Sequence, residues 1–343
     1  MSPHYSLREE PEEYLSIISM AADGDDIFVY LGGDQEVPMH ITHAVIDPSV
    51  NIVRRGAFEG RRQLVSVIFH DGLEIVEEYA FLDCVSLREI KLLGVREIRD
   101  EAFRCCYALS DVEFGDRLEI IGMGAFTCCS LSSIKMPSVR TVQFEAFRSC
   151  TKLFEAEFGI DLETIGVNSF IFCDNLERVA IPLKYDLFSP DPIEQQYNQF
   201  DDCRNLRVVE LVGAEGIHNT ISSLLIESWK DEMNDEIDRI NQELPDTPSR
   251  DKANSIRLWI RSVIDGMDHY KAEHNRLLNE HMTQLELAVW KAKLDDKEED
   301  SIQSLQAMMI RVNIDEERSR EEMRITSGAD TIIKNVLPFL KLL

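Results

Sequence analysis

The chain has 343 residues, with 36 Lys and Arg against 63 Asp and Glu, a formal charge of −27, and 44% of its residues are hydrophobic. Such a balance excludes a nucleic-acid grip through bulk charge, which needs Lys and Arg gathered against phosphates. The apolar share excludes disorder throughout, and the length allows one extended domain or two ordinary ones.

Residues 1–40 are expected to form an N-terminal cap. Glu9, Glu10, Glu12 and Glu13 precede a short apolar run, which is unlike a signal peptide, and no window approaches the roughly 18 apolar residues of a membrane span. The expectation is a cytoplasmic or nuclear protein with no signal peptide or transmembrane helix, its eight cysteines reduced. Ile27 to Leu31 has the composition of a strand.

From residue 41 to 217 a repeat takes over. A small residue followed by phenylalanine recurs at Ala57-Phe58, Ala80-Phe81, Ala102-Phe103, Ala125-Phe126, Ala146-Phe147 and Ser169-Phe170, and the series ends at Gln199-Phe200, with spacings of 23, 22, 23, 21, 23 and 30. A period near 22 indicates an array of stacked units. Three residues after the ring stands Cys84, Cys106, Cys129, Cys150, Cys173 or Cys203, with Arg61 in the first unit. A leucine follows at Leu64, Leu87, Leu109, Leu153, Leu176 and Leu206, and Leu131 comes one residue early. Each leucine opens Leu-x-x-apolar-x-apolar, as in Ile90 and Leu92 or Val112 and Phe114, the alternation of a half-buried strand. Two further apolar residues three apart, such as Val95 and Ile98, fit a turn into a short helical piece carrying Ala-Phe.

The run Leu87 to Leu109, with Ile90, Leu92, Val95, Ile98, Ala102-Phe103 and Cys106, resembles the BspA-type leucine-rich repeat. The strand-ending proline of that pattern stands only at Pro48, Pro137 and Pro182, and Lys184 to Gln199 inserts residues before Phe200. The resemblance implies a leucine-rich-repeat solenoid of about seven turns, in an α/β repeat class, and a binding scaffold without shared catalytic residues. One unit cannot bury its own apolar face, so each is covered by its neighbours. The cysteines read as small polarisable packing residues between turns, since no Cys-x-x-Cys pair occurs. Oxidant sensing by Cys105 and Cys128 is the alternative.

Strand side chains alternate, so the residues flanking the central apolar one face outward. They include Glu89, Lys91, Asp111, Glu113, Ser133, Lys135, Glu155, Glu157 and Arg178. These are the expected partner-binding residues, for a protein partner with a basic surface; the plain alternative is that they only keep an exposed sheet soluble.

Residues 218–343 read as an α-helical module, a coiled-coil hairpin in one form. Ile221, Leu225, Trp229, Met233, Ile237, Ile240 and Leu244 mark a helix opened by Asn219 or Thr220 and ended before Pro245. A second helix is expected from about Lys252 to Lys297 on the seam Ile256, Ile260, Val263, Met267, Tyr270, His274, Leu277, His281, Leu285 and Ala288, and a third from Ser301 to about Arg324. His269 with Glu273 has ligand spacing but no converging third group, so no metal is expected. The tail from Asp330 is too short to span a bilayer. The module is a candidate for homo-oligomer assembly.

No nucleophile elbow, phosphate-cradling glycine loop, dinucleotide fingerprint or His-Glu-x-x-His occurs. The expectation is a non-catalytic scaffold without cofactors that binds protein through the strand face, with no nucleic-acid partner and no membrane span. The alternatives are a cell-surface adhesin or carbohydrate-binding repeat protein, and a regulatory subunit of an enzyme on another chain.

Overall fold

The computed structural model describes residues 27–190, 196–213 and 226–294. The strands Ile27–Tyr30, His43–Ile46, Ser66–Ile68, Glu89–Leu92 and Asp111–Phe114 pair in parallel, each with the next. Ser133–Met136, Glu155–Phe158, Arg178–Pro182 and Val208–Val212 do the same. The ladder is interrupted between Phe114 and Ser133, where the unit is one residue short before Leu131, and the link there is Ser132 N–H to the Ser110 carbonyl at 3.3 Å. A second ladder joins two-residue strands from Ile52–Val53 through Ile75–Val76, Glu97–Ile98, Ile120–Ile121 and Thr141–Val142 to Thr164–Ile165. Two parallel ladders on one coiling chain make a β-solenoid.

The expected short helical piece around Ala-Phe is instead a turn with its own inter-coil ladder. Residues two before and two after most rings adopt left-handed φ, and many are not glycine: Tyr79 and Asp83 flank Phe81, Glu101 and Cys105 flank Phe103, and Glu145 and Ser149 flank Phe147, all between 54° and 61°. A left-handed residue every fourth position ends any right-handed helical run. The gain is register, because alternate amides now point at the next coil. Tyr79 N–H reaches the Asp100 carbonyl at 3.0 Å, Phe81 reaches Ala102 at 2.7 Å and Asp83 reaches Arg104 at 3.0 Å.

Phe58, Phe81, Phe103, Phe126, Phe147, Phe170 and Phe200 are fully buried and stacked, with centroids 4.8 to 5.6 Å apart and planes within 22°. These rings bound about six coils, one fewer than the expected seven, since seven stacked rings leave six intervals between them. At the front, Tyr30 tilts onto Phe58 at 5.3 Å, extending the column into the Ile27–Tyr30 strand. The insertion before Phe200 continues the second ladder, with Phe188 bridged to Ile165 and set edge-on to Phe200 at 5.7 Å.

The cysteines pack as expected and also donate. Cys84, Cys106, Cys129, Cys150, Cys173 and Cys203 each direct Sγ at the carbonyl of the preceding ring residue, from Phe58 through Phe170, at 3.0 to 3.2 Å. The first coil has no preceding phenylalanine of the series, and there Arg61 Nε donates to the Val37 carbonyl at 3.1 Å.

Two α-helices follow, Ile226–Glu243 (α1) and Ser249–Leu294 (α2). The expected opening of α1 near Asn219, the third helix at 301–324 and the tail lie outside the described residues. Helix α2 starts three residues before the expected Lys252, directly after Pro248, whose fixed φ suits a helix start. Ile240–Arg257 forms one compact unit with residues up to Val212, while the rest of both helices belongs to a second unit. In the first unit Asn241 and Lys252 close the open edge of the last coil: Lys252, almost fully buried, donates Nζ to the carbonyls of Arg204 at 3.1 Å and Leu206 at 2.5 Å. In the second, Trp259 is buried and donates its indole N–H to the Glu236 carbonyl at 2.9 Å.

Candidate interaction face

Parallel register stacks each outward strand position on its equivalent one coil away. One column runs Ser66, Glu89, Asp111, then Ser133, Glu155, Arg178 and Val208. The other pairs Lys91 with Glu113, and sets Lys135, Glu157, Ala180 and Glu210 in line. All nine residues expected at the face therefore lie on its strands, exposed or half-buried, with buried neighbours such as Ile90, Leu92, Val112 and Ile134 between them.

Register also decides which charges cancel. Lys91 meets Glu113 at 4.0 Å and Lys135 meets Glu157 at 3.1 Å. Arg178 bridges Glu155 on one side and Glu210 on the other, its Nε on Glu210 Oε1 at 2.7 Å. The hydrogen bond to Glu210 is the main cause of a raised guanidinium pKa, and in return it holds the Glu210 carboxyl below the usual range. Much of the acidity of the strand face is thus answered by its own cations. Glu89 and Asp111 differ: they face each other in register on adjacent coils, are exposed, and have no ion-pair partner among the described residues. Two neighbouring carboxylates without a cation attract one from outside.

A second charged column lies seven residues before five of the rings, at Glu74, Arg96, Glu119, Arg140 and Glu163, each amide after the first reaching the carbonyl of the one before. Its signs alternate, with Arg96 on Glu119 at 3.1 Å and Arg140 paired to Glu163. Beside it a shallow cavity of about 640 Å³ is lined by Asp116, Arg117, Ser138 and Asp161 together with Arg96, Glu119 and Arg140. The sequence carries this signal at a fixed offset from the phenylalanines; attention to the strands alone passes over it. The mixed lining cancels its own field and selects no ligand charge.

Glu273, half of the spaced His269–Glu273 pair, is held by Arg276 at 2.6 Å, and among the described residues no three His, Cys, Asp or Glu side chains converge on a metal-sized site. No described helix is long and apolar enough to cross a membrane.

Residues 38–153 and 93–207 match the family pattern described as BspA type leucine rich repeat region, in six copies. Among solved structures the chain is similar to a leucine rich repeat protein of T. pallidum, TpLRR, at 26% identity over 52% of this chain and 82% of that one, with a TM-score of 0.43. A leucine-rich repeat protein of Bacteroides ovatus is 20% identical, over 52% and 60% of the two chains, with a TM-score of 0.32. A leucine rich cell surface protein of Faecalibacterium prausnitzii is 22% identical over 51% and 61%, with a TM-score of 0.26. No curated protein matches the sequence.

Proposed function

Since the chain belongs through residues 38–207 to the BspA-type leucine-rich-repeat family, we propose that it is a non-catalytic scaffold that binds a protein partner with a basic surface. Binding is through the outward strand face and centres on Glu89 and Asp111. The observation that carries this reading is the contrast within the face. Lys91, Lys135 and Arg178 each answer a carboxylate one coil away, whereas Glu89 and Asp111 sit side by side with no ion-pair partner among the described residues. A lysine or arginine placed between them gains attraction without breaking an existing pair, which no other spot on the face offers. Residues 1–40 serve as the N-terminal cap, and residues 218–343 as a helical module for assembly or a homo-oligomer contact.

The test is retention of bound protein by the purified full chain and by Glu89→Lys/Asp111→Lys. The double variant should lose the species that the parent retains, and retention should weaken with salt in the parent. Glu157→Lys, which disturbs a carboxylate already paired, should lose less. Equal retention by both variants overturns the placement.

A further inference from the structure

The left-handed position two residues after each ring is occupied in succession by Gly60, Asp83, Cys105, Cys128, Ser149, Phe172 and Asp202. Glycine, Asp or Asn suits such a backbone. Two consecutive coils place cysteine there instead, with φ of 61° and 64°. These are also the two half-buried thiols of the chain; the other six cysteines are buried.

Geometry brings the pair together. Cys105 N–H reaches the Thr127 carbonyl at 2.9 Å and Cys128 N–H reaches the Arg148 carbonyl at 2.8 Å, so the two residues hold equivalent places on adjacent coils of one ladder. The rings of the same coils are 5.2 Å apart. Equivalent Cα atoms in such a stack lie about 5 Å apart, within the roughly 4.4–6.8 Å that a disulfide spans. Equivalent places in one parallel ladder point both Cα–Cβ bonds the same way, so closing the bond draws the two Cβ atoms in to the roughly 3.5–4.5 Å of a disulfide. Burial and then the neighbouring Cys105 raise the Cys128 thiol, while a hydrogen bond with Ser149 and the charges of Arg104 and Arg148 oppose this. The Tyr107 hydroxyl is pushed up to about 12, mainly by its interaction with Cys105.

We propose that Cys105 and Cys128 form a redox-active dithiol that closes into an inter-coil disulfide by exchange with a low-molecular-weight disulfide. One thiolate attacks the small disulfide, forming a mixed disulfide and releasing one thiol; the second thiolate attacks the protein sulfur of that bond, forming Cys105–Cys128 and releasing the other thiol. The protein loses two electrons and two protons, and the small disulfide gains them as two thiols. Exchange stops at this pair, because Asp83 and Ser149 flank it along the column and Cys106 and Cys129 point into the core. The product is a staple across the middle of the array, in the ladder of ring turns and not in the strand face, and independent of the partner proposed above.

The probe is glutathione disulfide added to the native full chain, followed by acid quench, denaturation, alkylation and mass spectrometry. The expected product has lost two hydrogens, carries six alkylated cysteines out of the eight in the chain, and gives fragments linking Cys105 to Cys128; dithiothreitol restores eight. Cys105→Ser and Cys128→Ser should each stop at one glutathione adduct on the remaining partner. Eight alkylated cysteines, two separate glutathione adducts on Cys105 and Cys128, or a link between any other pair overturns the proposal.

Discussion

Asn241 does for Val209 what another coil would do: its Oδ1 accepts the Val209 N–H at 2.8 Å and its Nδ2 donates to the Val209 carbonyl at 3.4 Å. Val209 is fully buried on the last strand, so both backbone groups face an edge that water does not serve. The side-chain amide has the donor and acceptor spacing of a peptide unit, and it terminates the sheet without offering a new edge to another chain.

Asn241→Leu should therefore cost about 1–3 kcal/mol, the penalty of leaving buried backbone groups unpaired. Hydrogen exchange at Val209 should accelerate along with the loss of melting temperature. Asn241→Asp keeps the acceptor and loses the donor, so it should fall between the parent and Asn241→Leu.

Phe103→Ala removes a ring stacked on both sides, at 5.1 Å from Phe81 and 5.2 Å from Phe126. A loss of about 3–5 kcal/mol is expected in denaturant titration, with new proteolytic cleavage in the two adjacent coils. An unchanged midpoint would remove the ring column from the core.

Two glycine substitutions should act in opposite directions. A Cβ at Gly159 would lie 1.6 Å from the Pro137 carbonyl oxygen, so Gly159→Ala forces two coils apart and should destabilise by roughly 1–3 kcal/mol. Gly266 lies in α2 with open space around a Cβ. Gly266→Ala should stabilise by about 1 kcal/mol through helix propensity. Paired thermal melts distinguish the two.

Alkaline pH should unfold the array cooperatively. Burial pushes Cys84 and Cys150 up to about 12 and holds Cys106, Cys129 and Cys173 well above the ordinary thiol value of 9.0. A thiol whose folded pKa is raised stabilises the fold fully below its unfolded pKa, and that contribution is lost as pH climbs toward the folded pKa. Between pH 9 and about 12 each such thiol removes up to about 1.4 kcal/mol per pH unit. Lys252, pulled down by burial, acts with the opposite sign while its folded form gives up a proton that the unfolded form still holds, but it is one group against five. Cys106→Ala should flatten the alkaline slope of the denaturation midpoint; an unchanged slope would take that thiol out of the titration.

The array was legible because every coil repeats one chemical sentence: ring, thiol, leucine, alternating strand. What escaped depends on relations between coils or at their ends. The turn around each ring passed for a helical piece because Tyr79, Glu101 and Glu145 are not residues that announce a left-handed backbone; inter-coil hydrogen bonds impose it. The thiol could be read as filler, but its acceptor lies 24 to 26 residues earlier in most coils, on a carbonyl with no sequence mark. The positions of the outward residues were readable from alternation alone. Their pairing was not, since Arg178 and Glu210 are 32 residues apart and meet only through the register of the strands. Glu155 and Glu157 looked as available as Glu89 and Asp111 until Arg178 and Lys135 were set beside them.

Zero-length carbodiimide coupling of the native full chain to the protein it retains, read by mass spectrometry, tests the binding claim most directly, since it joins carboxylates only to amines already in contact. The predicted amide links run from Glu89 and Asp111 to lysines of the partner, with few or none from Glu157 or Glu210. Links confined to residues away from the strand face, with Glu89 and Asp111 unmodified, would contradict it.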